Sequence, residues 1–200
     1  LGRMEIDPLR ARRDDHIGGD LKVESVLGQG ATSRVLRVRR GSDDRSYALK
    51  CSLGEDHDPR LCQEAAVLRR LHEGEDGASG RARNIVRLVE ERTIAGRTCL
   101  LLTLAGEHTL HRELATDGVV SLDYAMRYGE QLFEALEALE DQGIVHRDLK
   151  PANVGVGTAF KGKKQLTVFD FSLAGAPLTE LEVGTSAYRD PFLRLRGVWD

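Results

Sequence analysis

The stretch Ile144–Asn153, I-V-H-R-D-L-K-P-A-N, constrains this chain more than any other. Apolar residues bracket it, Ile144-Val145 before and Val154-Gly155-Val156 after, while its middle carries Arg147, Asp148 and Lys150. A segment whose ends belong in an interior and whose centre cannot be buried unpaired has to be a loop held between packed elements. Its charges are also ordered for chemistry. Asp148 can accept a proton from a hydroxyl, Lys150 can offset phosphate charge, and Asn153 offers a hard oxygen to magnesium. A polar surface turn with a chance order of charges is the alternative, and it requires no partners elsewhere in the chain.

The rest of the sequence supplies partners. Residues 1–19 are rich in arginine, aspartate and glycine without a sustained period, which predicts a leader or linker ordered only by contact. From Asp20, L-K-V-E-S-V-L alternates, Gly28-Gln29-Gly30 turns, and V-L-R-V-R-R resumes as a second strand. Ser46–Cys51 reads as a third strand carrying Lys50. From about Asp58 to His72, Leu61, Ala65, Leu68 and Leu71 form a helical stripe with Glu64 beside it. Lys50 alone would be a solvated strand lysine; Glu64 is available to pair with it. Gly74–Ala82 reads as a flexible insertion, followed by strands over Ile85–Glu91 and Arg97–Leu104.

Ser121–Gln142 is the clearest helix, with Ser121 as N-cap, Leu132, Leu136 and Leu139 on one face, Phe133 beside them, and Gly143 at its end. It delivers the chain to Ile144–Asn153. Beyond, V-G-V-G and Gln165–Phe169 are expected as short strands around the K-G-K-K turn at 161–164, a solvated hairpin tip rather than a nucleic-acid patch. His108 and His111 are three residues apart, but no third metal ligand accompanies them, so a short solvated helix is expected there.

A net charge of −3 gives no reason to expect nucleic acid or an anionic membrane as partner. The strongly apolar run around Cys99–Leu104 is far too short to span a bilayer. Cys51, Cys62 and Cys99 are odd in number and lack C-x-x-C spacing, so a disulfide framework is not expected and a reducing cytoplasm fits. The chain opens on Leu1 and stops at Trp199-Asp200 without a change in composition, which reads as a piece of a longer protein whose remainder would be a partner.

Taken in order, these segments resemble the protein kinase family. H-R-D-L-K-P-A-N is similar to the catalytic loop, with the Lys-Pro of the serine/threonine branch. Gly28–Val35 (G-Q-G-A-T-S-R-V) resembles the glycine-rich loop, Ala48-Leu49-Lys50 the strand lysine motif, and Asp170-Phe171-Ser172 the D-F-G motif. The resemblance implies an α+β, bilobal protein-kinase-like fold. Its β-rich N-lobe, with one main helix, would cover 20–105, and a helical C-lobe truncated at its C-terminal side would cover 106–200. That truncation would leave Ser121–Gln142 with an exposed apolar patch.

It further implies ATP and Mg²⁺, and a protein serine or threonine hydroxyl as acceptor. Gly28, Gly30, Val35, Ala48, Lys50, Leu102, Thr103 and Ala105 would bind the nucleotide, with Leu102 as gatekeeper. Lys50 would be held by Glu64; Asn153 and Asp170 would hold the metal; Asp148 and Lys150 would serve the transfer. Thr185, after Gly184 and near Tyr188 and Pro191, would reach back to Asp148 and Lys150. Arg147 would receive a phosphate, with Thr179 the candidate acceptor.

The departures are Ser33 and Ser172 in place of glycines, Asp190-Pro191-Phe192 in place of A-P-E, and Gly155 in place of the leucine beneath the adenine, where room is expected. Ser172 is expected to stiffen the backbone switch around Phe171, since a non-glycine residue costs more at positive φ. The strings D-F-S-L-A-G-A-P and G-T-S-A-Y-R-D-P-F-L are similar to the kinase module of bacterial phage-defence proteins of the phage-growth-limitation type. Two rival functions remain open: a nucleotide-binding pseudokinase acting as scaffold, and a small-molecule phosphotransferase.

Overall fold

The computed structural model describes residues 5–73, 80 and 82–199; most of the expected Gly74–Ala82 insertion lies outside the described residues. The chain divides into two compact units, 5–65 with Arg87–Leu104, and 66–86 with 105–199.

The first unit is an antiparallel sheet of β1 (His16–Ile17), β2 (Leu21–Gln29), β3 (Ser33–Arg40), β4 (Arg45–Ser52), β5 (Leu88–Ile94) and β6 (Arg97–Leu102), in the order β1-β2-β3-β4-β6-β5. Period-two alternation sends one set of side chains to each face. Leu21, Val23, Leu36, Val38, Tyr47, Leu49, Cys51, Cys99 and Leu101 form one buried cluster. Register places Val35 opposite Lys50 and Lys50 opposite Leu100, and Ala48 opposite Leu102, so these five share the other face.

The sequence anticipated β6 through Leu104 and a strand from Ile85. The structure ends β6 at Leu102 and begins β5 at Leu88, because Ile85 instead forms a parallel bridge with Val168. Residues 7–17 also differ from the linker expected for 1–19. Pro8, Ala11 and Ile17 are buried, the latter two in the sheet's core cluster. Helix α1 spans Asp58–Leu71, with Leu61, Ala65, Leu68 and Leu71 buried, as the stripe implied.

In the second unit, β7 (His108–Thr109), β8 (Val154–Thr158) and β9 (Lys164–Val168) form a sheet in that order. Helix α2 (Leu110–Asp117) follows β7, and α3 (Leu122–Asp141) lies against β9. Tyr128, Val154, Val156 and Leu166 make the core, with Leu110, Leu132 and Leu149 packed on it. Ser121 caps α3 by accepting from the Tyr124 N–H at 3.4 Å. Of the expected α3 face, Leu139 is buried and Leu132 packs on the core, whereas Leu136 and Phe133 are exposed along with Met126 and Leu122; Tyr128, Ala135 and Ala138 complete the buried side. Asn84, buried, donates to the Gln131 carbonyl at 2.9 Å and fixes the incoming chain to this helix. A short α4 (Leu193–Arg196) ends the described chain, its Leu193 buried.

Glycines let two backbones meet in this unit. A Cβ on Gly155 would fall well inside contact distance of the Ala105 carbonyl, and one on Gly106 would strike the Val156 carbonyl. Gly106 also has φ +139, and the Glu107 N–H donates to Val156 at 2.9 Å.

Candidate active site

In the first unit, the alternation that buries Leu49 and Cys51 turns Lys50 to the opposite face. Its Nζ lies 2.6 Å from Glu64 Oε2 on α1, and both residues are buried. Two desolvated charges stand there only as a pair, since either left alone would cost several kcal/mol. Val35, Ala48 and Leu102 are half-buried to buried on the same sheet face. Thr103 donates its N–H to the Arg87 carbonyl, and its Oγ1 accepts from the Arg87 N–H, both at 2.9 Å. Its own carbonyl is therefore the backbone group it can offer. Gly28 and Gly30 adopt no positive φ, and a Cβ on either would meet nothing within 4 Å. The fold sets no steric demand for these glycines, and the lack of a Cβ leaves the loop backbone open to close approach.

In the second unit, Asp148 is surrounded by donors. Thr185 gives Oδ1 both its hydroxyl, at 2.6 Å, and its N–H, at 3.0 Å. Asn153 Nδ2 reaches Oδ2 at 3.1 Å and the Asp148 carbonyl at 2.9 Å, and Lys150 Nζ stands 3.2 Å from Oδ2. Lys150 also donates to the Thr185 hydroxyl at 2.6 Å. With its amide NH₂ so engaged, Asn153 presents Oδ1 as its remaining acceptor. The Phe169 N–H donates to the Asn153 carbonyl at 3.0 Å, which ties the start of β8 to the segment bearing Asp170.

Two non-glycine residues here have left-handed backbones, Arg147 at φ 68° and Asp170 at φ 64°. Each costs roughly 1–2 kcal/mol and persists only where its surroundings fix it. Arg147 is fixed by its Nη1 donating to the Pro177 carbonyl at 2.9 Å and by Gly184 lying against its own carbonyl. Burial lowers the Arg147 pKa, with the Glu180 carboxylate opposing. Among the described residues no group of three or more His, Cys, Asp or Glu could hold a metal. A carboxylate and an amide oxygen suit magnesium that completes its shell with phosphate and water.

The family model described as "Protein kinase domain" matches residues 21–193. The chain belongs to the protein kinase family. It is 34% identical, over 97% of its length, to "Probable kinase PglW" of Streptomyces coelicolor, covering 14% of that protein. It is 28% identical to "Serine/threonine-protein kinase H1 homolog" of Danio rerio over 97% of this chain and 46% of the relative. With "Calcium/calmodulin-dependent protein kinase type IV" of Mus musculus the identity is 33%, over 92% of this chain and 38% of the relative. The kinase chain thus spans less than half the length of these relatives.

The departures from the kinase pattern now have physical accounts. Ser172 does not take a positive φ; it turns its hydroxyl onto Asp170 Oδ1 at 2.7 Å. Ser33 is buried in β3, and its carbonyl accepts from the Gly30 N–H at 2.9 Å. Gly155 leaves no room beside it, contrary to the sequence-based expectation, because the Ala105 backbone fills that space. Asp190 accepts from the Phe192 N–H at 2.8 Å and pairs with Arg196, so it braces the start of α4. Thr179 is exposed.

His108 is not in a solvated helix but on β7, its Nε2 2.8 Å from Glu113. Sequence reasoning gave no role to His146, which is buried two residues before Asp148. Its Nε2 donates to the Phe169 carbonyl at 3.0 Å, its Nδ1 accepts from the Asp148 N–H at 3.2 Å, and Phe171 meets it edge-on at 4.7 Å. A neutral ring with its proton on Nε2 serves both bonds. A histidine beside an apolar pair was the available signal.

Proposed function

We propose that this kinase chain transfers the γ-phosphate of Mg-ATP to a serine or threonine hydroxyl of a protein. The observation that carries the reading is Asp148, whose Oδ1 accepts a hydroxyl proton from Thr185 at 2.6 Å while Asn153 and Lys150 hold Oδ2. A carboxylate so fixed is oriented to take the proton of an incoming alcohol. Lys150 offsets charge on the transferred group, and Lys50, held by Glu64, orients the α- and β-phosphates. Gly28 and Gly30 let loop amides reach phosphate oxygens. Val35, Ala48 and Leu102 supply apolar surface for the base, and the Thr103 carbonyl and Ala105 N–H its edge contacts. Asn153 Oδ1 and Asp170 would hold magnesium, which would supply neutralisation of phosphate charge when bound. Most of the rate enhancement then comes from positioning and electrostatics.

The 34% identity to the Streptomyces coelicolor protein supports a bacterial kinase of the phage-growth-limitation type acting within a longer chain. The free thiols of Cys51, Cys62 and Cys99 support a cytoplasmic setting. Among the described residues no helix is long and apolar enough to cross a membrane.

One observation favours a scaffold that binds nucleotide without transfer: the Ser172 hydroxyl occupies Asp170 Oδ1, which a metal would otherwise use. The test is transfer of labelled γ-phosphate from Mg-ATP beside an Asp148→Asn twin. Label on protein serine or threonine in the parent and none in the twin is the expected result. Bound nucleotide without label in either would establish the scaffold, and label on small alcohols alone would establish a small-molecule phosphotransferase.

A further inference from the structure

Arg34 stands directly after Ser33 in the arm of the glycine-rich loop that becomes β3. Register sets it opposite Cys51, so its side chain leaves the sheet on the face of the core cluster. There the guanidinium donates to the backbone of one short turn: Nη1 to the Pro8 carbonyl at 3.0 Å and to the Leu9 carbonyl, Nη2 to the Ala11 carbonyl at 3.1 Å. Its Nε is buried with no hydrogen-bond partner among the described residues.

The turn is itself rigidly made. Asp7 accepts from the N–H groups of Arg10 and Ala11 through its carbonyl and from Leu9 through its carboxylate. Arg97 grips the same carboxylate with two bonds, at 2.7 and 3.0 Å, and gives its third group to the Leu53 carbonyl at 3.1 Å. Leu53 N–H then donates to the Thr32 carbonyl, back in the glycine-rich loop, at 3.0 Å.

The loop's returning arm is thereby held at two points by a closed circuit running Thr32, Leu53, Arg97, Asp7 and Arg34. The outgoing arm, with Gly28 and Gly30, is exposed. A guanidinium fork matches three carbonyls as an ammonium cannot. We propose that the turn over residues 7–11 positions the glycine-rich loop and that Arg34 is the positioning residue through which it acts. What precedes the turn can then alter the loop by moving residues 7–11. The purpose assigned to this device rests on the nucleotide reading above; its mechanics do not.

The experiment compares the intact chain with its Arg34→Lys and Asp7→Asn variants, which open the circuit at different points. Amide hydrogen exchange is followed without nucleotide, and Mg-ADP affinity is measured by calorimetry. Both variants are expected to speed exchange across residues 28–35 by about tenfold or more, with β4 and β6 unchanged, and to weaken Mg-ADP binding. Unchanged loop exchange in both variants overturns the inference, as does a uniform rise across the whole sheet, which marks general destabilisation. Faster loop exchange in a chain that binds no Mg-ADP supports the positioning and instead overturns the nucleotide reading.

Discussion

Glu113 on α2 is a buried charge of the second unit, and its substitution gives a quantitative test of what holds that unit together. Its carboxylate accepts from Tyr128 Oη on α3 at 2.6 Å, from His108 Nε2 on β7 at 2.8 Å and from Lys164 Nζ on β9 at 3.0 Å. Burial pushes the carboxyl pKa up, but the hydrogen bonds from Tyr128, His108 and Lys164 outweigh it and hold it at about 2, from an ordinary 4.5. A depressed folded-state pKa stabilises fully above the unfolded value and is lost as pH falls towards the folded one. That separation corresponds to about 3 kcal/mol at neutral pH and about 2 kcal/mol at pH 3.5. Glu113→Gln keeps the shape and loses the charge. Urea unfolding followed by circular dichroism should find it less stable than the parent by about 3 kcal/mol at pH 7, with the gap narrowing by about a third at pH 3.5. A gap that does not change with pH, or one under about 1 kcal/mol at pH 7, would refute the account of charge-assisted bonds outweighing burial. The perturbation also reaches the site, because β8 begins at Asn153's neighbour Val154 and Asp170 follows β9.

Two further outcomes follow from the geometry. Lys50→Met and Glu64→Leu should each destabilise the first unit by about 3 kcal/mol, while the double variant regains most of that loss, since a buried pair is costly to break and cheap to replace whole; thermal melts of all four proteins measure it, and additive losses would contradict it. Ser172→Gly removes the hydroxyl from Asp170 Oδ1 and relaxes the backbone, so amide exchange over residues 170–173 should rise by about tenfold; unchanged exchange would show that the serine does not stiffen the segment.

The parts legible in the sequence were those whose chemistry demands several residue types at fixed spacing. Asp148, Lys150 and Asn153 fall within six consecutive residues and meet through one loop. Lys50 and Glu64 could be paired because the resemblance to the kinase pattern supplies a helix glutamate for the A-L-K lysine, and Glu64 stands beside the apolar stripe of that helix. What stayed hidden depends on long-range backbone acceptors, which leave no residue signature. The turn at residues 7–11, D-P-L-R-A, carries no sustained period, and its grip on Arg34 runs through carbonyls. Strand β7 is two residues long, too short for a period to register, and His108 was read without Glu113, its actual partner. On α3 the leucine spacing placed Leu132 and Leu139 on the packed side, but Leu136 and Phe133 are exposed, and Ala135 and Ala138, weak apolar signals, share the buried side instead. Gly155 was treated as a missing side chain, when the neighbouring Ala105 backbone had taken its place.

The interlocked backbones at Ala105-Gly106 and Gly155–Gly157 make sequence drift here dependent on order. A side chain at 155 collides with the Ala105 carbonyl, and one at 106 collides with Val156 while also meeting a forbidden φ. Neither position can change silently while the other segment keeps its path. A single substitution of Gly155 by leucine is therefore closed to this chain as long as residues 105 and 106 hold their present path. Residues 105–106 and 155–157 thus form one unit, in which either segment can gain a side chain only if the backbone of the other moves.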